Sequence, residues 1–223
     1  MHSFIEPIHV SFQKNANAKQ AVEMKAYMLN KFEFFGIKAP LRDEIVKPYL
    51  KEHSIKLFSE LDQVIKELWE MPEREMQYFA IDLFSAHKKL WSHSSIKLIE
   101  HCIIQKSWWD TVDGIAGDWL GHYFNHFSEQ TILITSQWNK SNNIWLQRSS
   151  ILFQKAYKKN TDITLLTSYI LHLKESKEFF IRKAIGWALR EYSKTNPEWV
   201  ISFVANNKLS PLSEKEALKR ITK

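Results

Sequence analysis

Apolar residues recur along most of the chain at helical spacing, in amphipathic segments of about 11 to 18 residues split by short polar breaks. Pro72, Pro197 and Pro211 stand where a helix would start, because the first turn has no use for the N–H that proline lacks. Asn142-Asn143 and Ser176-Lys177-Glu178 carry further start signals. No segment alternates apolar and polar residues as a half-buried strand does.

The segments repeat. EREMQYFAIDLFSAHKK from Glu73, NIWLQRSSILFQKAYKK from Asn143 and EFFIRKAIGWALREYSK from Glu178 look alike, and their starts differ by 70 and 35 residues. A step of 35 forward from Glu73 reaches WWDTVDGIAGDWLGHYF, and a step of 35 back reaches KAPLRDEIVKPYLKEHS. The preceding helices keep register: Leu61, Ile96, Thr131, Leu166 and Ile201 form one column, and Val64, Ile99, Ile134, Tyr169 and Val204 form a second, apolar one. A fixed period with two helices per unit predicts an all-α fold, an α-solenoid of HEAT-like helix pairs curved around a basic concave groove. A single domain over residues 1–223 is expected, with residues 1–37 as N-terminal capping helices.

The register also says which side chains share a face. Position six of successive second helices reads Asp43, Tyr78, Asp113, Arg148 and Lys183, which no apolar core column would. Residues four before and four after join that face, so one line carries Trp109, Asp113, Arg148, Lys183 and Trp187, with Phe179 beside Lys183. Packed helices lie roughly 8–10 Å apart, which brings Asp113 within reach of Arg148. The competing reading is structural: a first-turn acid with an ordinary ion-pair partner, among tryptophans that belong to the core.

Composition narrows the chemistry. Only 5 glycines are present, against about 15 at average usage in a chain of this length. Gly-rich phosphate loops and dinucleotide fingerprints are therefore not expected. The net charge of +6 lies wholly in the second half: residues 1–111 hold 15 basic and 15 acidic side chains, and residues 112–223 hold 16 and 10. A polyanion is the natural partner, nucleic acid before an anionic membrane. The single Cys102 cannot form an internal disulfide and sits in an apolar helix as an inert thiol. The start MHSFIEPIHV lacks the charge and apolar pattern of a signal peptide, and no run is long enough to span a membrane. A cytoplasmic location, with the chain on the nucleoid when bound to DNA, is expected. His122 and His126 have the i, i+4 spacing of a metal pair, but Tyr123 replaces the glutamate of H-E-x-x-H and no third ligand stands out. No metal and no cofactor are expected.

Three stretches, KSWWDTVD from Lys106, NIWLQR from Asn143 and SKEFFIRKAIGWALREYSKTNP from Ser176, closely resemble the AlkD-type DNA alkylation repair enzymes. The loop FFGIKAPLR from Phe34 resembles the family's approach to its first regular repeat, and the resemblance runs over essentially the whole chain. It implies a monofunctional alkylpurine DNA glycosylase of HEAT-like repeats, a hydrolase releasing 3-methyladenine and 7-methylguanine from double-stranded DNA. It implies Asp113 as the catalytic carboxylate, Trp109 and Trp187 as the functional indoles, Arg148 as the groove arginine and Tyr27 as an aromatic near the lesion. Arg182, Phe179 and Phe180, from the third stretch, join Arg148 and Lys183 as expected DNA contacts. Gly114 and Gly117 depart from expectation, since each costs about 1 kcal/mol inside a helix.

The chemistry suits those residues. A purine alkylated on a ring nitrogen is cationic and leaves without a strong general acid. What remains is positive charge on the deoxyribose, which an ionised Asp113 can stabilise and which indole faces favour. A solenoid groove offers no obvious deep pocket, and the resemblance implies excision without enclosing the base and so tolerance of bulk on it. A monomer is expected. Two alternatives stay open at this point: a non-catalytic DNA-binding solenoid, and a HEAT scaffold that binds protein through apolar hot spots.

Overall fold

A computed structural model describes residues 1–221 and is all-helical, with no strand among the described residues. The chain divides into two compact units, Met1–Leu98 and a second that begins at Ile99.

In the first unit, α1 (Glu6–Lys14) and α2 (Ala18–Tyr27) are the expected N-terminal pair, followed by α3 (Ala39–Glu52), α4 (Phe58–Glu70) and α5 (Arg74–Ala86). Leu61, Val64, Ile65, Leu68 and Trp69 of α4 are buried, as are Met76, Phe79, Ala80, Leu83 and Phe84 of α5, the helix packed against it. The loop between α2 and α3 is anchored on Glu75, whose buried carboxylate accepts from the backbone N–H groups of Phe35, Gly36 and Ile37 at 3.1, 2.9 and 3.0 Å. Burial raises the Glu75 pKa, and these three donors oppose that shift. Gly36 holds φ +87°, and a Cβ there would lie 2.2 Å from the Asn17 carbonyl oxygen, so both conformation and space demand glycine.

After α6 (Ser95–Ile104) come α7 (Trp109–Gly114), α8 (Gly121–His126), α9 (Thr131–Asn139), α10 (Ile144–Leu152), α11 (Ile163–Leu173), α12 (Phe179–Tyr192), α13 (Pro197–Asn206) and α14 (Pro211–Leu218). Pro197 and Pro211 open α13 and α14 as expected. Pro72 does not open α5: Glu73 is the cap and the helix begins at Arg74. Asn143 caps α10 by accepting from the N–H groups of Trp145 and Leu146. In this unit α10 packs on α9, α12 on α10, and α14 on α12, consistent with a solenoid of stacked helix pairs.

The period is exact at the start of each second helix: α3, α5, α7, α10 and α12 begin at Ala39, Arg74, Trp109, Ile144 and Phe179, each 35 residues after the last. The column Val64, Ile99, Tyr169 and Val204 is buried, with Ile134 half-buried. The other column is less uniform, since Leu61 and Leu166 are buried but Ile201 is exposed. Asp43, Tyr78, Asp113 and Lys183 of position six are half-buried, and only Arg148 is buried.

One element departs from the pattern. The helix that starts at Trp109 is not regular throughout: residues Ile115–Leu120 form a π-helical turn between α7 and α8. Such a turn takes an extra residue and shifts every later side chain around the axis.

Candidate active site

Lys106 turns the chain into α7 with φ +45°, a left-handed conformation that costs a non-glycine residue about 1–2 kcal/mol. Trp108 is then the extended residue that caps the helix, and Trp109 begins it. Trp109 and Asp113, four apart in one helical stretch, share a face and are both half-buried.

Asp113 is gripped from α10. Arg148 Nε donates to Asp113 Oδ1 at 2.7 Å and Nη2 donates to Oδ2 at 2.9 Å, a bidentate fork. The third guanidinium nitrogen, Nη1, donates to the backbone carbonyl of Phe180 on α12. Arg148 is 4% exposed and the Asp113 side chain 14%, so the pair sits at the edge of the core with the carboxylate as its open end. Each carboxylate oxygen keeps lone-pair capacity beyond the one bond it accepts.

Arg148 is expected from the resemblance to contact DNA. The structure instead occupies its guanidinium with Asp113 and Phe180, and its burial leaves little surface for a phosphate oxygen. Phe180, expected to contact DNA, packs in an aromatic cluster with Trp108 and Trp145, at ring-centroid distances of 5.0 and 4.9 Å. Phe179 beside it is 57% exposed. Lys183 pairs with Glu216 of α14 at 2.5 Å, and Glu216 also pairs with Arg190. Arg182 Nε donates to the Ser176 carbonyl at 2.9 Å. Tyr27, 70% exposed at the end of α2, belongs to the first unit, where it lines a recess of about 200 Å³ with Met24, Met28, Phe34 and Tyr78.

Trp187 of α12 is half-buried and reaches the Asp113 region through a residue that sequence reasoning missed. Lys155, just after α10, donates from Nζ to the Asp113 backbone carbonyl at 2.8 Å and stands 4.4 Å from the Trp187 ring centroid. Gly117 makes room for it: a Cβ at that position would lie 2.0 Å from Lys155 Cε. The close approach explains one of the two helical glycines. The missed signal was in the repeat itself, since Lys155 and Arg190 are also one period of 35 apart.

Among the described residues no three His, Cys, Asp or Glu side chains come together as they would to hold a metal, and His122 and His126 are both exposed. No described helix is long and apolar enough to cross a membrane.

No curated protein is significantly similar in sequence. A solved structure, a predicted DNA alkylation repair enzyme from Enterococcus faecalis, is similar at 36% identity and a TM-score of 0.87, over 93% of this chain and 97% of that one. The family model for DNA alkylation repair enzymes matches residues 8–221, nearly the whole chain and every residue of the site. The carboxylate, its arginine clamp and the indoles thus lie inside a chain that belongs to the DNA alkylation repair enzyme family, which supports a role in the repair of alkylated DNA.

Proposed function

We propose that this chain is a monofunctional glycosylase that hydrolyses the N-glycosidic bond of cationic alkylpurines, 3-methyladenine and 7-methylguanine, in duplex DNA. The observation that carries the reading is the Asp113–Arg148 fork. It fixes a carboxylate in one orientation with part of its surface open, on the helical face of Trp109, while Lys155 links the Asp113 backbone carbonyl to the Trp187 ring. A carboxylate so fixed pays no reorganisation cost when positive charge develops in front of it.

In this reading the alkylated base leaves as a neutral purine. Its bond to C1′ stretches, and the deoxyribose gains oxocarbenium character. Asp113 stabilises that cation and orients the attacking water, whose oxygen ends on C1′ and whose proton passes to solvent. Trp109 and Trp187 offer electron-rich faces to the sugar. Arg148 acts through Asp113, as its positioning partner, and not on the DNA. Exposed cations of the basic second half supply phosphate contacts, with Lys183 and Arg190 tempered by Glu216.

The test is release of free base. Duplex DNA carrying 7-methylguanine, incubated with the protein and separated by chromatography, should yield 7-methylguanine and a strand with an abasic site. Binding without release would leave the family's DNA partner but remove the glycosylase reading.

A further inference from the structure

Lys155 has no role in the proposed chemistry, yet it contacts both the Asp113 backbone and the Trp187 ring. It is half-buried, and three elements meet at it. Its own segment follows α10. Its Nζ bonds the backbone carbonyl of Asp113, two residues before the π-helical turn, at 2.8 Å. Its charge lies 4.4 Å from the Trp187 ring centroid on α12. Regular helices satisfy carbonyls internally, so a side-chain donor delivered from another segment at this point pins the place where the register changes.

We propose that Lys155 is a positioning residue that ties the Asp113 turn to the Trp187 indole, so that carboxylate and ring meet one deoxyribose together. The inference rests on the glycosylase reading above.

Three features support it. Gly117 is tailored to the amine, since a Cβ there would overlap Lys155 Cε at 2.0 Å and crowd Nζ at 2.6 Å. The amine is drawn out of water: burial lowers its pKa, Arg148 adds to that shift, and Asp113 and Glu191 oppose it. Its role is also geometric on electrostatic grounds. A cation against the Trp187 ring competes with a second cation drawn to that ring, so its charge alone would not favour an oxocarbenium sugar. What Lys155 supplies is the distance between two groups that must act at once.

The geometry provides two independent ways to remove the tie. Lys155→Met keeps the stem and deletes the donor. Gly117→Ala keeps the lysine but displaces its flexible end, and alanine is the better helix former. The experiment measures single-turnover release of 7-methylguanine from duplex DNA by wild type, each variant and the double variant, with DNA affinity and thermal midpoint measured on the same samples. Each single variant should lose about 10²-fold in rate, the usual consequence of an ångström-scale misplacement, while affinity and midpoint stay close to wild type. The double variant should be no slower than Lys155→Met, because Gly117→Ala acts through the same amine. A wild-type rate in Lys155→Met overturns the proposal, as does full additivity of the two losses. A fall in rate that only tracks a fall in thermal midpoint also overturns it. Absence of release by the wild-type protein overturns the glycosylase reading instead, and the proposal with it.

Discussion

Arg148 holds Asp113 by both carboxylate oxygens, Nε to Oδ1 at 2.7 Å and Nη2 to Oδ2 at 2.9 Å, from one repeat period further along the chain. The two are equivalent positions of consecutive second helices, so the 35-residue register itself sets them face to face. An ion pair at the edge of a core costs desolvation, and leaving one partner alone costs more. Arg148 therefore serves the carboxylate first.

Arg148→Ala should lower stability by about 3–5 kcal/mol, the usual cost of removing one partner of a buried pair. The salt dependence of DNA affinity should not change. Chemical denaturation and a salt titration measure the two effects. A salt slope shallower by roughly 0.9 would return Arg148 to the phosphate contacts.

Glu216 restrains two cations, Lys183 and Arg190. Glu216→Gln should release both toward DNA and steepen the slope of log affinity against log salt by roughly 0.9 for each further phosphate neutralised. An unchanged slope would show that neither cation reaches DNA.

Gly36→Ala should cost about 3 kcal/mol, because φ +87° and the 2.2 Å approach to the Asn17 carbonyl add left-handed strain to a steric clash. The thermal midpoint should fall while Asp113, in the other unit, stays intact. A midpoint equal to wild type would mean that the loop after α2 rearranges freely.

Much of the fold was legible because the repeat is strict where it matters. Helix starts at Arg74, Trp109, Ile144 and Phe179 keep one spacing, and position six reads as a non-core face from residue type alone. The π-helical turn after Gly114 was not legible, since amphipathic periodicity averages over a single inserted residue. Arg148 is recognisable in the sequence as Asp113's neighbour but looks like a phosphate ligand, because sequence gives proximity and not burial. Phe180 is legible only in part: its helix is, but its half-buried cluster with Trp108 and Trp145 comes from three segments that sequence does not place together. Lys155 escapes notice although it shares a repeat position with Arg190, because its bond to the Asp113 carbonyl and its place against the Trp187 ring come from the packing of three segments.

Substrate charge should govern rate more than substrate size. A cationic N3- or N7-alkylpurine departs as a neutral base, whereas hypoxanthine or 1,N6-ethenoadenine would depart as an anion beside Asp113. No acid is assigned to protonate them, and lack of general-acid help costs about 10²–10⁴-fold. Side-by-side rates in one duplex should show release of 7-methylguanine and a bulky cationic adduct but none of hypoxanthine. Rapid release of hypoxanthine would reveal a general acid outside the site described.

Asp113 carries the central claim, and Asp113→Asn tests it with little change of shape. Asparagine keeps an acceptor for Arg148 but loses the negative charge, which leaves the buried guanidinium uncompensated, so the fold should survive with a stability loss of about 3–5 kcal/mol, the same cost as removing the other partner. The decisive measurement is the single-turnover rate of 7-methylguanine release from duplex DNA, wild type against Asp113→Asn, at protein concentrations that saturate the DNA in both. The account predicts release by wild type and a rate for Asp113→Asn lower by about 10²-fold or more, on the scale of losing a preorganised electrostatic contact to the transition state. Equal rates for the two proteins would contradict it.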